Sequence, residues 1–101
     1  MREFTATEDA LMHAALVSVR VEPEALETAR AMLEEQIAPM IARAPGFIAG
    51  YWLEPEDDVG LAVLLYETVE QARAGAPSVG PAPAPGATVE DVRFRRVMVS
   101  R

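Results

Sequence analysis

The feature that most constrains the fold of this chain is a pair of apolar segments on either side of a short acidic stretch. The first, "FIAGYWL" (residues 47–53), follows a Pro-Gly break, and the second, "LAVLLYE" (residues 61–67), follows "EPEDDVG". Neighbouring side chains of a strand point to opposite faces, so Tyr51 and Trp52 must contact two different surfaces. Because both segments are apolar on both faces, they predict two paired strands in a sheet that is covered on each side.

The elements next to this hairpin follow from local patterns. "HAALVSVRV" (residues 13–21) is rich in β-branched residues, which predicts the first strand. Apolar residues at three- and four-residue spacing predict a helix over residues 23–42, in which Pro39 should disturb the last turn. A second, short helix is expected to be capped by Thr68 and to end near Gly75.

The remaining segments define the predicted limits of the domain. Residues 75–88 are a connector of proline, glycine and alanine, expected to be extended, and residues 89–100 alternate well enough for a fourth strand. Residues 1–12 show no clear period and are expected to form an N-terminal arm. We therefore expect a single α+β domain over residues 13–101.

The predicted order β-α-β-β-α-β is that of the ferredoxin-like α+β fold, with a four-stranded antiparallel sheet and both helices on one face. The second face of the sheet would then expose large apolar side chains in a monomer. We therefore expect a homodimer whose sheets pack face to face. One member of the pair Tyr51 and Trp52 should face the helices, and the other should face the partner subunit.

Composition excludes several function classes. The net charge of −7 argues against nucleic acid as a partner, which requires a basic surface. No apolar run has the length of a membrane span, so we expect no membrane association and a cytoplasmic location. Because cysteine is absent, thiolate metal sites and thiol nucleophiles are excluded, and the acidic hairpin lacks the ligand spacing of a calcium loop. We expect no metal.

Two short motifs give the chain a resemblance to a known family. "PGF" (residues 45–47) opens the second strand, and "YETVEQA" (residues 66–72) leads from the third strand into the second helix. With these motifs, residues 13–74 resemble the antibiotic-biosynthesis-monooxygenase group of dimeric α+β barrels. The resemblance implies a dimeric barrel in which each subunit holds a pocket between its sheet and its helices.

The same resemblance implies an activity. It implies a cofactor-independent monooxygenase that acts on a small aromatic molecule of the phenol, quinol or polyketide type. The haem-degrading members of the group use an asparagine, a tryptophan and a second-helix histidine. This chain has no asparagine and one histidine, His13, and Tyr66 takes the position of that tryptophan. Haem is therefore not expected as a partner, and no cofactor is expected.

Oxygenation without a cofactor needs an apolar, water-poor pocket and one or two groups that position or deprotonate the substrate. Tyr66 and His13 are the candidate catalytic residues. The candidate substrate-binding residues are Trp52, Tyr51, Ser18, Arg20, Ala62 and Leu64. Core packing also explains these aromatic residues. The alternative function is therefore a non-catalytic small-molecule-binding or dimerisation protein of the same fold.

Overall fold

The computed structural model describes residues 12–101, which form a five-stranded antiparallel sheet with its helices on one face. The strands are β1 (His13–Val21), β2 (Phe47–Glu56), β3 (Val59–Tyr66), β4 (Gly80–Pro81) and β5 (Ala87–Arg96). Their order in the sheet is β2-β3-β1-β5-β4. This order is consistent with the ferredoxin-like α+β fold. The predicted arm, residues 1–12, lies outside the described residues except for Met12.

The sheet has five strands and not the four that we predicted, because the connector contributes a short edge strand. Gly80 pairs with Val89, and Pro81 pairs with Thr88. The last long strand also lies earlier in the chain than residues 89–100. It stops at Arg96, which lies opposite His13 at the start of β1, and one further backbone hydrogen bond runs from the N–H of Val97 to the carbonyl oxygen of Met12 at 2.9 Å.

The hairpin between β2 and β3 is tighter than the acidic sequence predicted. Its turn consists of Asp57 and Asp58, which both have positive φ angles, 52° and 67°. Two such residues give the turn that matches the twist of paired strands, and aspartate tolerates this conformation better than most residues. The strand pairing therefore extends into the acidic stretch as far as Glu56.

The first helix, α1, covers residues 23–42 as predicted, but its backbone changes geometry along its length. Its segments are a 3₁₀ turn (Pro23–Ala25), an α-helical segment (Leu26–Met32), a π-helical segment (Leu33–Ile37) and a final α-helical segment (Ala38–Ala42). The wider π turn ends at Ile37, two residues before Pro39. Proline has no N–H and its ring crowds the carbonyl group four residues earlier, so a widened turn relieves the conflict.

The second helix, α2, is Val69–Gly75, and its start confirms the prediction from the capping pattern. The Thr68 hydroxyl oxygen accepts a hydrogen bond from the backbone N–H of Gln71 at 3.1 Å. Ala72 is fully buried and packs against the sheet.

The strand register decides which side chains face the helices. Val17 lies opposite Ala62, and Ala62 lies opposite Trp52 on the next strand. These residues belong to, or pack against, the core that both helices cover, together with Leu64. Tyr51 has the opposite parity and is 58% exposed. Of the two adjacent aromatic residues, Trp52 therefore faces the helices.

We call the second surface of the sheet the open face. Its apolar half lies on β2, β3 and the middle of β1, and consists of Leu16, Ala49, Tyr51, Leu53, Leu61, Val63 and Leu65. Its polar half lies mainly on β5, where Asp91 and Arg93 form an ion pair of 2.8 Å. Within residues 12–101, no helix is long and apolar enough to cross a membrane.

Candidate functional site

A cavity of about 160 Å³ lies between α1 and the hairpin end of the sheet. We call it the α1 cavity. Its floor is formed by residues of β1 and β3, including Val17, Val19, Ala62 and Leu64. Its roof is the apolar side of α1, which contributes Leu26, Ala29, Leu33, Ile37 and Ile41. The residues that predict an amphipathic helix from sequence are therefore the wall of a cavity.

Trp52 forms an aromatic wall of the α1 cavity. Its indole ring folds back over the backbone of β2 at Gly50, where an added Cβ atom would lie 2.8 Å from the ring. The added Cβ atom would also lie 3.1 Å from the side chain of Leu64. Glycine at position 50 is thus required for the indole to lie against the floor of the cavity.

The connector closes the cavity on the side of β5. Pro77, Ala82, Pro83 and Ala84 line it. The segment is held by backbone hydrogen bonds, in which the N–H of Ala82 donates to the carbonyl oxygen of Ala87 at 3.1 Å. Residues 75–88 therefore contribute a packed wall, although their composition is that of an extended linker.

One ion pair lies at the mouth of the cavity, which we define by Arg30 on α1 and Glu54 on β2. The Arg30 guanidinium donates a hydrogen bond of 2.7 Å to the Glu54 carboxylate. This hydrogen bond, together with the negative charge of Glu54, raises the pKa of Arg30. Among the described residues that line the cavity, these are the two charged ones. The interior is therefore apolar and the mouth is charged.

Three of the predicted site residues line the α1 cavity: Trp52, Ala62 and Leu64. The others lie elsewhere. Tyr51 is on the open face, as are Ser18 and Arg20, and Arg20 pairs there with Glu90 at 2.6 Å. The two candidate catalytic residues, His13 and Tyr66, are opposite each other on β1 and β3, on the helix side but at the far end of the sheet.

Tyr66 is fully buried beneath α2. Its ring meets the edge of Phe47, with ring centres 5.7 Å apart and planes at 84°. Gly75 on α2 approaches it so closely that an added Cβ atom would lie 2.8 Å from the ring. The hydroxyl group has no hydrogen-bond partner in the described part of the chain, and burial raises the pKa of this phenol. The surroundings of Tyr66 are those of a packed core residue.

Sequence reasoning missed the two residues at the mouth. Glu54 belongs to an acidic cluster that predicts only a solvated hairpin, and Arg30 lies 24 residues away on a helix. No local pattern joins them, because their contact depends on how α1 crosses the sheet. The sequence did carry one sign of the cavity, which is the small residue Ala29 within the apolar stripe of α1.

No protein-family model, curated protein or solved structure matches this chain. Across residues 12–101, no three His, Cys, Asp or Glu side chains are grouped so that they could hold a metal ion. The family resemblance accordingly stays a prediction, and the α1 cavity is the site from which a function is argued.

We expect Tyr66→Phe to leave the free energy of unfolding at pH 7 unchanged or to increase it. The substitution removes a buried hydroxyl group that has no partner, and an unpaired buried polar group costs about 1–3 kcal/mol. Urea denaturation followed by circular dichroism measures the difference. A loss of more than about 1 kcal/mol would show that the hydroxyl group makes a stabilising contact.

The raised pKa of Tyr66 adds a test by pH. The phenol of Tyr66 ionises near pH 10 in the unfolded chain and at higher pH in the folded protein, so its ionisation favours unfolding. The folded protein therefore keeps its full stability below about pH 10 and loses part of it as the pH rises through the higher folded pKa. Tyr66→Phe should therefore lose less stability than the unsubstituted protein between about pH 9 and pH 11. An equal alkaline loss in the two proteins would show that burial of Tyr66 is not its cause.

Proposed function

We propose that this protein binds a small aromatic molecule in the α1 cavity. The observation that supports the proposal is the combination of an apolar volume of about 160 Å³ with the indole of Trp52 as one wall. Apolar cavities of about 150 Å³ in proteins stay dry and accept benzene. The α1 cavity has room for one aromatic ring, with a substituent that reaches the mouth at Arg30 and Glu54. We place this role in the cytoplasm.

The cavity can be tested by filling it. Ala29→Leu adds three carbon atoms on the roof of the cavity, and Ala31→Leu makes the same change on the exposed side of the same helical segment. We expect benzyl alcohol to bind with a Kd in the millimolar range or tighter, at about −4 kcal/mol or better. Ala29→Leu should weaken this binding about tenfold or more because it occupies the volume of the ring.

The fluorescence of Trp52 reports the binding directly, since the chain contains a single tryptophan. Ala31→Leu should bind as the unsubstituted protein does. If benzyl alcohol leaves the fluorescence of Trp52 unchanged up to its solubility limit, the cavity is a packing defect and the proposed function is wrong.

Oxygenation of a phenol without a cofactor is the second candidate function. It is supported by the apolar lining, because a phenolate that gives electrons to oxygen needs a site from which water is excluded. In such a reaction a phenol and O₂ give a quinone and water. One oxygen atom enters the ring, and the other is reduced to water with two protons and two electrons from the substrate. Binding ranks first because the one cavity-lining proton acceptor in the described part of the chain, Glu54, lies at the mouth.

Oxygen consumption separates the two functions. A monooxygenase should consume one O₂ for each quinone formed from an unsubstituted phenol, and Ala29→Leu should abolish the uptake while Ala31→Leu preserves it. An oxygen electrode combined with the absorbance of the quinone measures both quantities. Uptake no faster than in a protein-free solution would leave binding without chemistry as the function.

We also propose that the protein acts as a homodimer through the apolar half of the open face. Tyr51, Leu53 and Leu61 are 58%, 50% and 40% exposed there in the protomer. Adjacent large apolar side chains on one sheet surface are typical of an association surface. Packing a second sheet on this face would give the double-layered barrel that the sequence resemblance implies.

Tyr51→Glu should convert the dimer to a monomer, because the new carboxylate would be buried without a partner between the two sheets. Val79→Glu is the control, since Val79 is 65% exposed in the connector and precedes β4, the strand at the opposite edge of the sheet from β2. Sedimentation velocity at micromolar concentration measures the assembly. A well-folded monomer of the unsubstituted protein at that concentration would contradict the dimer.

A further inference from the structure

The charge around the mouth of the α1 cavity bears on the chemical class of its ligand. Arg30 and Glu54 face each other there, and both are solvent-accessible, with 43% and 74% of their side-chain surfaces exposed. An ion pair this exposed contributes little stability, so a ligand can replace one of its members at low cost. The ligand can displace Glu54 from Arg30, as an anion would, or Arg30 from Glu54, as a cation would.

Two further carboxylates make these alternatives unequal. Glu27 and Glu34 lie three residues before and four residues after Arg30 on α1, which are the spacings at which helix side chains meet. Besides the dominant hydrogen bond to Glu54, both add attraction that raises the pKa of Arg30. One carboxylate therefore pairs with the Arg30 guanidinium and two more act on it from the same helix, so the charge around the mouth is negative in sum.

A ligand anion at Arg30 would meet repulsion from Glu27 and Glu34, which remain in place after Glu54 is displaced. A ligand cation at Glu54 meets no such conflict. The displaced Arg30 keeps Glu27 and Glu34 as alternative partners on its own helix. The net charge of −7 on the whole chain also attracts cations to the surface.

The spacing of the aromatic wall and the carboxylate sets the size of the ligand. The pairing of β2 with β3 shifts register between Leu53 and Glu56. Trp52 and Glu54 are two residues apart on β2, which is about 7 Å along an extended chain. Both line the cavity. A ring against the indole is therefore within reach of Glu54 through a chain of one or two carbon atoms.

We propose that the ligand of the α1 cavity is a small aromatic primary amine, with its ring on Trp52 and its ammonium group on Glu54 in place of Arg30. This inference rests on the proposed binding function and names the class of molecule that the site selects.

Three probes of similar size and different charge test the proposal: 2-phenylethylamine, 2-phenylethanol and phenylacetate. Each is titrated at pH 7 and low salt against the fluorescence of Trp52. The amine should bind about two- to fivefold more tightly than the alcohol, as expected for one partly exposed ion pair, and phenylacetate should bind more weakly than the alcohol. The advantage of the amine should shrink as salt is added.

Glu54→Gln should remove the difference in affinity between the amine and the alcohol. Glu67→Gln makes the same change in net charge directly after the far end of β3 and should preserve that difference. Equal binding of amine and alcohol by the unsubstituted protein would overturn the amine proposal and leave the cavity function intact. Tightest binding of phenylacetate would assign the site to anions and also overturn it. Failure of all three probes to bind would refute the proposed function and the amine proposal with it.

Discussion

The pairing of β1 with β3 in the middle of the sheet is the constraint on which the rest of the structure depends. Its register runs without a break from His13 opposite Tyr66 to Arg20 opposite Val59. A slip of one residue would exchange the two faces of a strand, so this register selects the residues that the helices cover. It places Val17 beside Ala62 beneath α1, and it places the alternate residues of β3, Leu61, Val63 and Leu65, on the open face.

The helix side of the sheet is divided by the sizes of its side chains. At one end Tyr66 fills the space under α2, and Gly75 and Phe47 pack directly against its ring. At the other end Ala62 and Gly60 are too small to reach α1, and the space that remains is the α1 cavity. The cavity is therefore a consequence of small residues at the hairpin end of β3, with Trp52 and the connector closing its sides.

The charged residues that line the α1 cavity also lie at one place. The interior of the cavity is apolar, and its charged residues are confined to the mouth, where water supports the ion pair of Arg30 and Glu54. A site of this kind selects for shape in its interior and for charge at its mouth. Arg93 and Arg95 of β5 lie on the open face, and Arg96 lies opposite His13 at the far end of the sheet from the mouth, so the arginines of β5 do not neutralise the acidic mouth.

The sequence by itself determined the order of the four long strands and the two helices, and the cap at Thr68, because spacing and capping are local properties of the chain; it did not predict the edge strand β4. It also determined that Tyr51 and Trp52 point to opposite faces of the sheet, but the cross-strand register was needed to show that Trp52 is the one that faces the helices. Only the tertiary structure separated Tyr66 from the cavity and joined Arg30 to Glu54. Those relations depend on the empty volume between elements distant in sequence, and a local pattern of residues has no information about that volume.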